Sequence, residues 1–363
     1  MILSVHLRIG AVIMGTLLMK GNEAIGAAAI AAGCQFYAGY PITPQNELTE
    51  YLAKNLRQAG GVFVQAESEI SAINMVYGAA AAGGRAMTSS SSPGISLKME
   101  GISYLAAAEL PCVIVNVMRG GPGLGGIQPA QSDYFQATRG GGHGDYRMIV
   151  LAPTSVQEIF TLTELSFFLS EKYRIPVMIL SDGLLGQMME TVDLDIKSKT
   201  DKHFNFKLWV TNGCKGRSKN QINTLYLEPS ELEALNIRLQ EKYKEIHLNE
   251  QRSEMYHIND AVIVLIAYGT SARIAKEAVN LARSHGIKAG LIRPITLWPF
   301  PEDIINKKIN SAKAVLVVEM SAGQMVDDVR LLVNGIMPVH FYGRMGGMIP
   351  NVSEILEIIR SVN

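Results

Sequence analysis

From residue 20 onward, short apolar runs alternate with stretches whose apolar positions recur at helical spacing. That alternation predicts α/β layers around a mostly parallel sheet. Residues 22–32 read as an Ala-rich helix closed by Gly33, and 34–39 as a short strand. Thr43-Pro44 has the form of a hydroxyl N-cap with proline at the first helical position, which predicts a helix to about residue 57. Strands are expected at 63–66 and 85–89, with helices at 69–82 and 96–110. CVIVNVM at 112–118 is apolar almost throughout, as a strand covered on both faces is. A strand at 148–152, a helix at 156–169 and a strand at 176–180 complete one doubly wound domain over 20–191. Residues 192–260 are richer in Lys, Asn and Glu; Pro229-Ser230-Glu231 opens a charged amphipathic helix to about residue 250, so this segment reads as a connector. A second, smaller α/β domain follows over 261–363, with strands at 261–267, 289–292, 314–319 and 339–342. Its helices are expected at 272–284, 302–310, 324–333 and 353–362.

Residues 1–19 need separate treatment, since their apolar character resembles a signal peptide. They lack a compact basic start and a small-residue cleavage site, Arg8 interrupts the apolar run, and no stretch reaches the roughly 18 apolar residues of a membrane span. They are read as an N-terminal extension, with Met14 as the natural start. Lys plus Arg equal Asp plus Glu at 33 each, so composition offers no attraction to nucleic acid or anionic membrane. Only 18% of residues are charged against 48% hydrophobic, which suggests surface covered by other subunits. Cys34, Cys112 and Cys214 form no CxxC pair, so no disulfide framework or iron–sulfur site arises from this chain, and a reducing cytoplasm is expected.

Two stretches carry candidate chemistry. Gly121-Pro122-Gly123-Leu124-Gly125-Gly126 satisfies GxGxxG after a strand, yet it runs on into Ile127-Gln128-Pro129, where a dinucleotide site needs a helix N-terminus. It is therefore read as a loop rimming a site, extended by Gly140 to Gly144. The other lies at strand C-terminal ends, where open α/β sheets bind ligands. Tyr40-Pro41-Ile42-Thr43-Pro44, Glu67-Ser68-Glu69, the hydroxyl-rich turn 88–94 and Arg119 follow four neighbouring strands. Each has a plain structural use as cap, dipole partner, turn or surface ion pair. Together they describe a place for a small anion beside a group that needs a buried carboxylate. His143 reads as exposed, and His6, His203, His247, His257 and His285 suggest no metal site.

YPITP at 40–44, QAESEISAINMVYGAAAAGGRAMTSSSSPG at 65–94, PCVIVNVMRGGP at 111–122 and QSDYFQA at 131–137 resemble the alpha subunit of 2-oxoacid:ferredoxin oxidoreductases. LIRPITLWPFP at 291–301 and VVEMSAGQMVDDVR at 317–330 resemble the same subunit's transketolase C-terminal-like domain. The likeness spans essentially the whole chain after Met14, and the stretch 122–147 looks nearest the 2-oxoisovalerate type. It implies a thiamin diphosphate pyrimidine-binding fold and oxidative decarboxylation of a 2-oxoacid to acyl-CoA and CO2, with reduction of ferredoxin. A 2-oxoglutarate enzyme and a non-catalytic assembly subunit of the same fold are the alternatives.

By the same resemblance Glu69 is the carboxylate for N1′ of the aminopyrimidine, with Glu67 as its rival. Thr43 touches substrate, Pro41 lies beside it against the cofactor, and Arg119 binds the substrate carboxylate through a bidentate fork. The diphosphate and Mg2+ are expected on a beta subunit with a GDG-type motif; here Ser181-Asp182-Gly183 lacks the first glycine. Iron–sulfur clusters are expected on partner chains, with gamma and ferredoxin-like delta subunits, ferredoxin and coenzyme A completing the system. This chain alone is expected to be inactive.

Overall fold

A computed structural model describes residues 8–9, 12–13, 15–196, 208–309 and 312–362. Met14, proposed as the start, and His6 and His203 lie outside the described residues. The chain begins with β1 (Arg8–Ile9), β2 (Val12–Ile13), β3 (Thr16–Lys20), α1 (Gly21–Ala31), β4 (Phe36–Gly39), α2 (Asn46–Asn55), β5 (Val62–Gln65) and α3 (Glu69–Ala81). Next come β6 (Ala86–Ser90), α4 (Ser92–Ala107), β7 (Cys112–Met118), α5 (Tyr134–Thr138), β8 (Ile149–Leu151), α6 (Val156–Tyr173), β9 (Pro176–Asp182), α7 (Gly183–Gln187) and β10 (Met189–Asp193). The remainder is α8 (Pro229–Asn249), β11 (Ser253–Tyr256), β12 (Ile263–Ile266), α9 (Gly269–Ser284), β13 (Ala289–Pro294), β14 (Thr296–Trp298), α10 (Glu302–Ile309), β15 (Ala314–Glu319), α11 (Met325–Val333), β16 (Val339–Gly343) and α12 (Val352–Val362).

Alternation of side chains along β7 explains the layering: Val113, Val115 and Val117 enter one core, while Cys112, Ile114 and Met118 enter another. The first core holds α1, α2 and α6, the second α3 and α4. Strand order is β14-β8-β9-β7-β6-β4-β5, parallel except for β14. A five-stranded sheet of order β11-β13-β12-β15-β16 forms the second unit.

Several segments depart from the expected boundaries because of pairings distant in sequence. Thr16–Lys20, which straddles the expected boundary between the N-terminal extension and the first domain, pairs with Met189–Asp193 in an antiparallel ribbon. Ser253–Tyr256, expected in the connector, is an edge strand against β13. Thr296–Trp298 leaves the second unit and joins β8 at the edge of the first sheet. Helix α2 starts at Asn46 with Gln45 as N-cap, so Thr43 is not the cap; Pro44 precedes the helix. Helix α8 buries Leu235, Leu239, Tyr243 and Ile246 against the first domain, and its Arg238 and Lys242 both pair with Glu109.

The segment carrying QSDYFQA joins the two units. Buried Gln131 donates from Nε2 to the Tyr268 carbonyl at 2.8 Å, and its Oε1 accepts from Ser271 Oγ at 2.6 Å and Met320 N at 2.9 Å. Tyr134 Oη donates to Asp328 at 2.6 Å, and Gln324 binds backbone at both Ser132 and Phe135. The site described next thus has a floor of sheet and one wall from the second unit.

Candidate active site

The C-terminal ends of β5, β4, β6 and β7 lie side by side in the sheet, which brings the segments after Gln65, Gly39, Ser90 and Met118 to one edge. Ser68 caps α3 by accepting from Ser71 N at 3.1 Å, and the next residue, Glu69, is buried at the first helical position. A helix start is a favourable place for a carboxylate. Glu67, two residues earlier, is exposed and accepts a hydrogen bond from the Ser71 hydroxyl. Burial therefore separates the two candidates: Glu69 faces inward and Glu67 outward. Among the described residues the Glu69 carboxylate takes no hydrogen bond.

Arg119 directly follows strand β7 and is only 8% exposed. Its Nη1 donates to the Thr43 carbonyl at 2.9 Å and its Nη2 to the Leu124 carbonyl at 3.0 Å, while Nε is buried without a partner. The guanidinium is thereby pinned between the YPITP turn and the glycine-rich loop. No carboxylate pairs with it among the described residues, an arrangement costly for a buried cation unless an anion arrives. Thr43 and Pro41 are exposed on the rim.

Ser92 opens α4 beside Arg119. Its Oγ accepts from Arg119 N at 3.0 Å and donates to Asp133 Oδ2 at 2.6 Å, where Asn116 Nδ2 also donates at 2.9 Å. Burial pushes the Asp133 carboxyl above its ordinary 3.8, against the opposing hydrogen bonds. Ser92, Arg119, Asp133, Ser321 and Met345 line a cavity of about 600 Å³ with the glycine loop. That loop forms no helix: Gly120 N donates to Gln128 O, Gly126 N donates to Gly120 O, and Gly123 and Gly125 have positive φ.

Sequence reasoning missed Asp133 and Lys98. Lys98 lies on α4, buried, with Nζ donating to Thr88 Oγ1 at 2.8 Å, and burial lowers its pKa to about 8. The available signal was its spacing, four residues after Gly94 on one helical face. Ser181-Asp182-Gly183 has a structural use: Asp182 caps α7 through Leu184 N and Leu185 N and accepts from Thr270 Oγ1 at 2.9 Å. His143 is exposed, with its ring edge-on to Tyr104. Among the described residues no helix is long and apolar enough to cross a membrane.

The profile of the pyruvate flavodoxin/ferredoxin oxidoreductase family, thiamine diphosphate-binding, matches residues 27–256. That of the pyruvate:ferredoxin oxidoreductase core domain II matches residues 261–355. The chain is 51% identical to the ketoisovalerate oxidoreductase subunit VorB of Methanothermobacter thermautotrophicus, across 96% of this chain and 98% of that one. To the 2-oxoglutarate synthase subunit KorA of Methanothermobacter marburgensis it is 39% identical, across 94% and 97%. The solved 2-oxoglutarate:ferredoxin oxidoreductase of Magnetococcus marinus, a structure with 2-oxoglutarate, coenzyme A and succinyl-CoA bound, superposes with a TM-score of 0.86 at 29% identity. This chain spans 65% of that longer chain, and 96% of this chain is covered. A split-gene transketolase at 14% identity and TM-score 0.61, covering 95% and 98%, shares the fold.

Proposed function

Since the chain belongs to the pyruvate flavodoxin/ferredoxin oxidoreductase family, we propose that it is the alpha subunit of a 2-oxoisovalerate:ferredoxin oxidoreductase. The reaction is oxidative decarboxylation of the 2-oxoacid to acyl-CoA and CO2 in a heteromer. The observation that carries this reading is the 51% identity to a ketoisovalerate oxidoreductase subunit over nearly the full length of both chains. Identity to the 2-oxoglutarate synthase subunit is lower, at 39%. Glu69, Thr43 and Arg119 all stand at one sheet edge, which disfavours a non-catalytic assembly subunit.

Bound thiamin diphosphate supplies the carbon nucleophile for the 2-oxo group and the electron sink for decarboxylation. The residues present fit its pyrimidine end: a buried carboxylate without a hydrogen bond stands near the orphaned hydroxyl of Ser90, both lying against Gly94. Glu69 would hold N1′, and Pro41 and Thr43 would line the cofactor and substrate. Arg119 would take the substrate carboxylate, its position set by the Thr43 and Leu124 carbonyls. The cavity lined by Arg119 and Asp133 would give the substrate carboxylate room beside the guanidinium.

A beta subunit would supply the diphosphate and Mg2+ site, and gamma and ferredoxin-like delta subunits the iron–sulfur clusters that pass electrons to ferredoxin. Exposed Leu124 and Ile127 beside the site support a covering partner. Buried free thiols at Cys34 and Cys112 fit a reducing cytoplasm. A substrate panel on the reconstituted complex tests the assignment: kcat/KM for 2-oxoisovalerate should exceed that for 2-oxoglutarate by about tenfold or more. A reversed order would move the chain to the 2-oxoglutarate type.

A further inference from the structure

The glycine-rich loop of the first unit meets a second glycine turn from the other unit. Strand β16 ends at Gly343, paired with Glu319, and Arg344 N donates to the Glu319 carbonyl at 3.1 Å. Gly346 and Gly347 then take positive φ, and Met348 N donates to Met345 O at 3.1 Å, which closes a tight turn over 345–348. This turn packs against the loop that follows Arg119. A Cβ at Gly120 would lie 3.3 Å from the Gly346 carbonyl carbon, and one at Gly347 would run into the Gln128 side chain. Met345, the first residue of the turn, is thereby brought to the cavity that Arg119 lines, and it is 60% exposed in this chain.

The chemistry of that cavity is one-sided. Pro93, Pro122, Ala130, Met320 and Met345 supply apolar surface. Among the described residues that line it, Arg119 is the one cation and Asp133 the one carboxylate. Two of the polar side chains are already engaged: Ser321 Oγ donates to Glu319 at 2.9 Å, and Gln324 binds backbone at Ser132 and Phe135. Arg344, beside Met345 in the chain, is no part of the lining and pairs with Glu354 at 3.2 Å. A 2-oxoacid whose carboxylate occupies Arg119 therefore meets apolar surface with its remaining atoms. A second carboxylate would find no cation, and taking such a charge out of water without a partner is costly.

We propose that Met345 is a specificity-determining residue: the turn of the second unit forms the wall against which the chain of an uncharged, apolar 2-oxoacid packs, and it disfavours dicarboxylic 2-oxoacids. This deepens the reading of Arg119 as the group that takes the substrate carboxylate, and rests on it. Methionine suits a branched chain, since its three rotatable bonds let it fit irregular apolar shapes. The first unit then holds the part common to every 2-oxoacid, and the second unit reads the part that differs.

The test is kcat/KM of the reconstituted complex for 2-oxoisovalerate, 2-oxoglutarate and pyruvate, with wild type and two variants. Met345→Lys places a cation in the cavity, so the preference for 2-oxoisovalerate over 2-oxoglutarate should fall by about tenfold or more. Met345→Ala removes apolar surface, so the preference for 2-oxoisovalerate over pyruvate should fall by about tenfold, roughly what one methylene gives in an apolar pocket. Ratios that stay at their wild-type values in both variants overturn the proposal, as do equal losses for all three acids, which a merely structural role would give. Where Met345→Lys fails to assemble, the Met345→Ala ratio decides alone. A wild-type complex that oxidises none of the acids, or prefers 2-oxoglutarate, overturns instead the functional reading beneath it.

Discussion

Gly94 packs directly against the carboxylate of Glu69: a Cβ added at Gly94 would lie 2.7 Å from Oε1 and would run into Ser90 Oγ. Neither approach is tolerable without movement. Gly94→Ala should therefore displace the carboxylate, and a misplacement on the order of 1 Å costs roughly 100-fold in rate. Steady-state turnover of the assembled complex checks this, with the circular dichroism of the variant showing an intact fold.

Arg119→Ala removes the one cation at the site edge that has no carboxylate partner among the described residues. The expected result is a rise in KM for the 2-oxoacid of about 100-fold, the scale of losing a charged bidentate contact of about 3 kcal/mol. An unchanged KM would take Arg119 out of the substrate site.

How far the chain could be read before its structure was known differs between elements. Strand β7 and helix α8 were legible because periodicity and burial agree over long runs. Strands β3, β11 and β14 were not: each is short, and its partner lies far off in sequence, so no local pattern marks it. At the site, Glu69 and Glu67 are chemically alike in the sequence, and only the capping geometry of Ser68 turns one in and the other out. Lys98 escaped notice because a lysine on a helix ordinarily lies in solvent.

Gln131→Leu should destabilise the chain by about 2–4 kcal/mol, since three buried hydrogen bonds of its side chain link the two units and their partners would be left unsatisfied. Urea unfolding followed by fluorescence gives the value. Little or no loss would mean that the interface is carried by its apolar contacts.

The Asp133 carboxyl, raised above 3.8 by burial, gives a pH signature. In the window above 3.8 the folded chain holds this proton more tightly than the unfolded chain. Its contribution to stability is therefore present at acid pH and lost as pH rises through the raised value. Asp133→Asn lacks that loss, so it should be more stable than wild type at pH 7, with the advantage fading towards pH 4. Paired urea titrations at the two pH values measure it.

The most direct test of the central claim compares Glu69→Gln with Glu67→Gln in the reconstituted complex, assayed with 2-oxoisovalerate, coenzyme A and ferredoxin. Glu69→Gln should lower kcat by roughly 100-fold or more while assembly survives, the scale expected for losing a positioned proton-transfer group. Glu67→Gln, altering an exposed side chain, should leave kcat within about twofold of wild type. Near-normal turnover by Glu69→Gln would contradict the assignment of this carboxylate, and with it the account of the site.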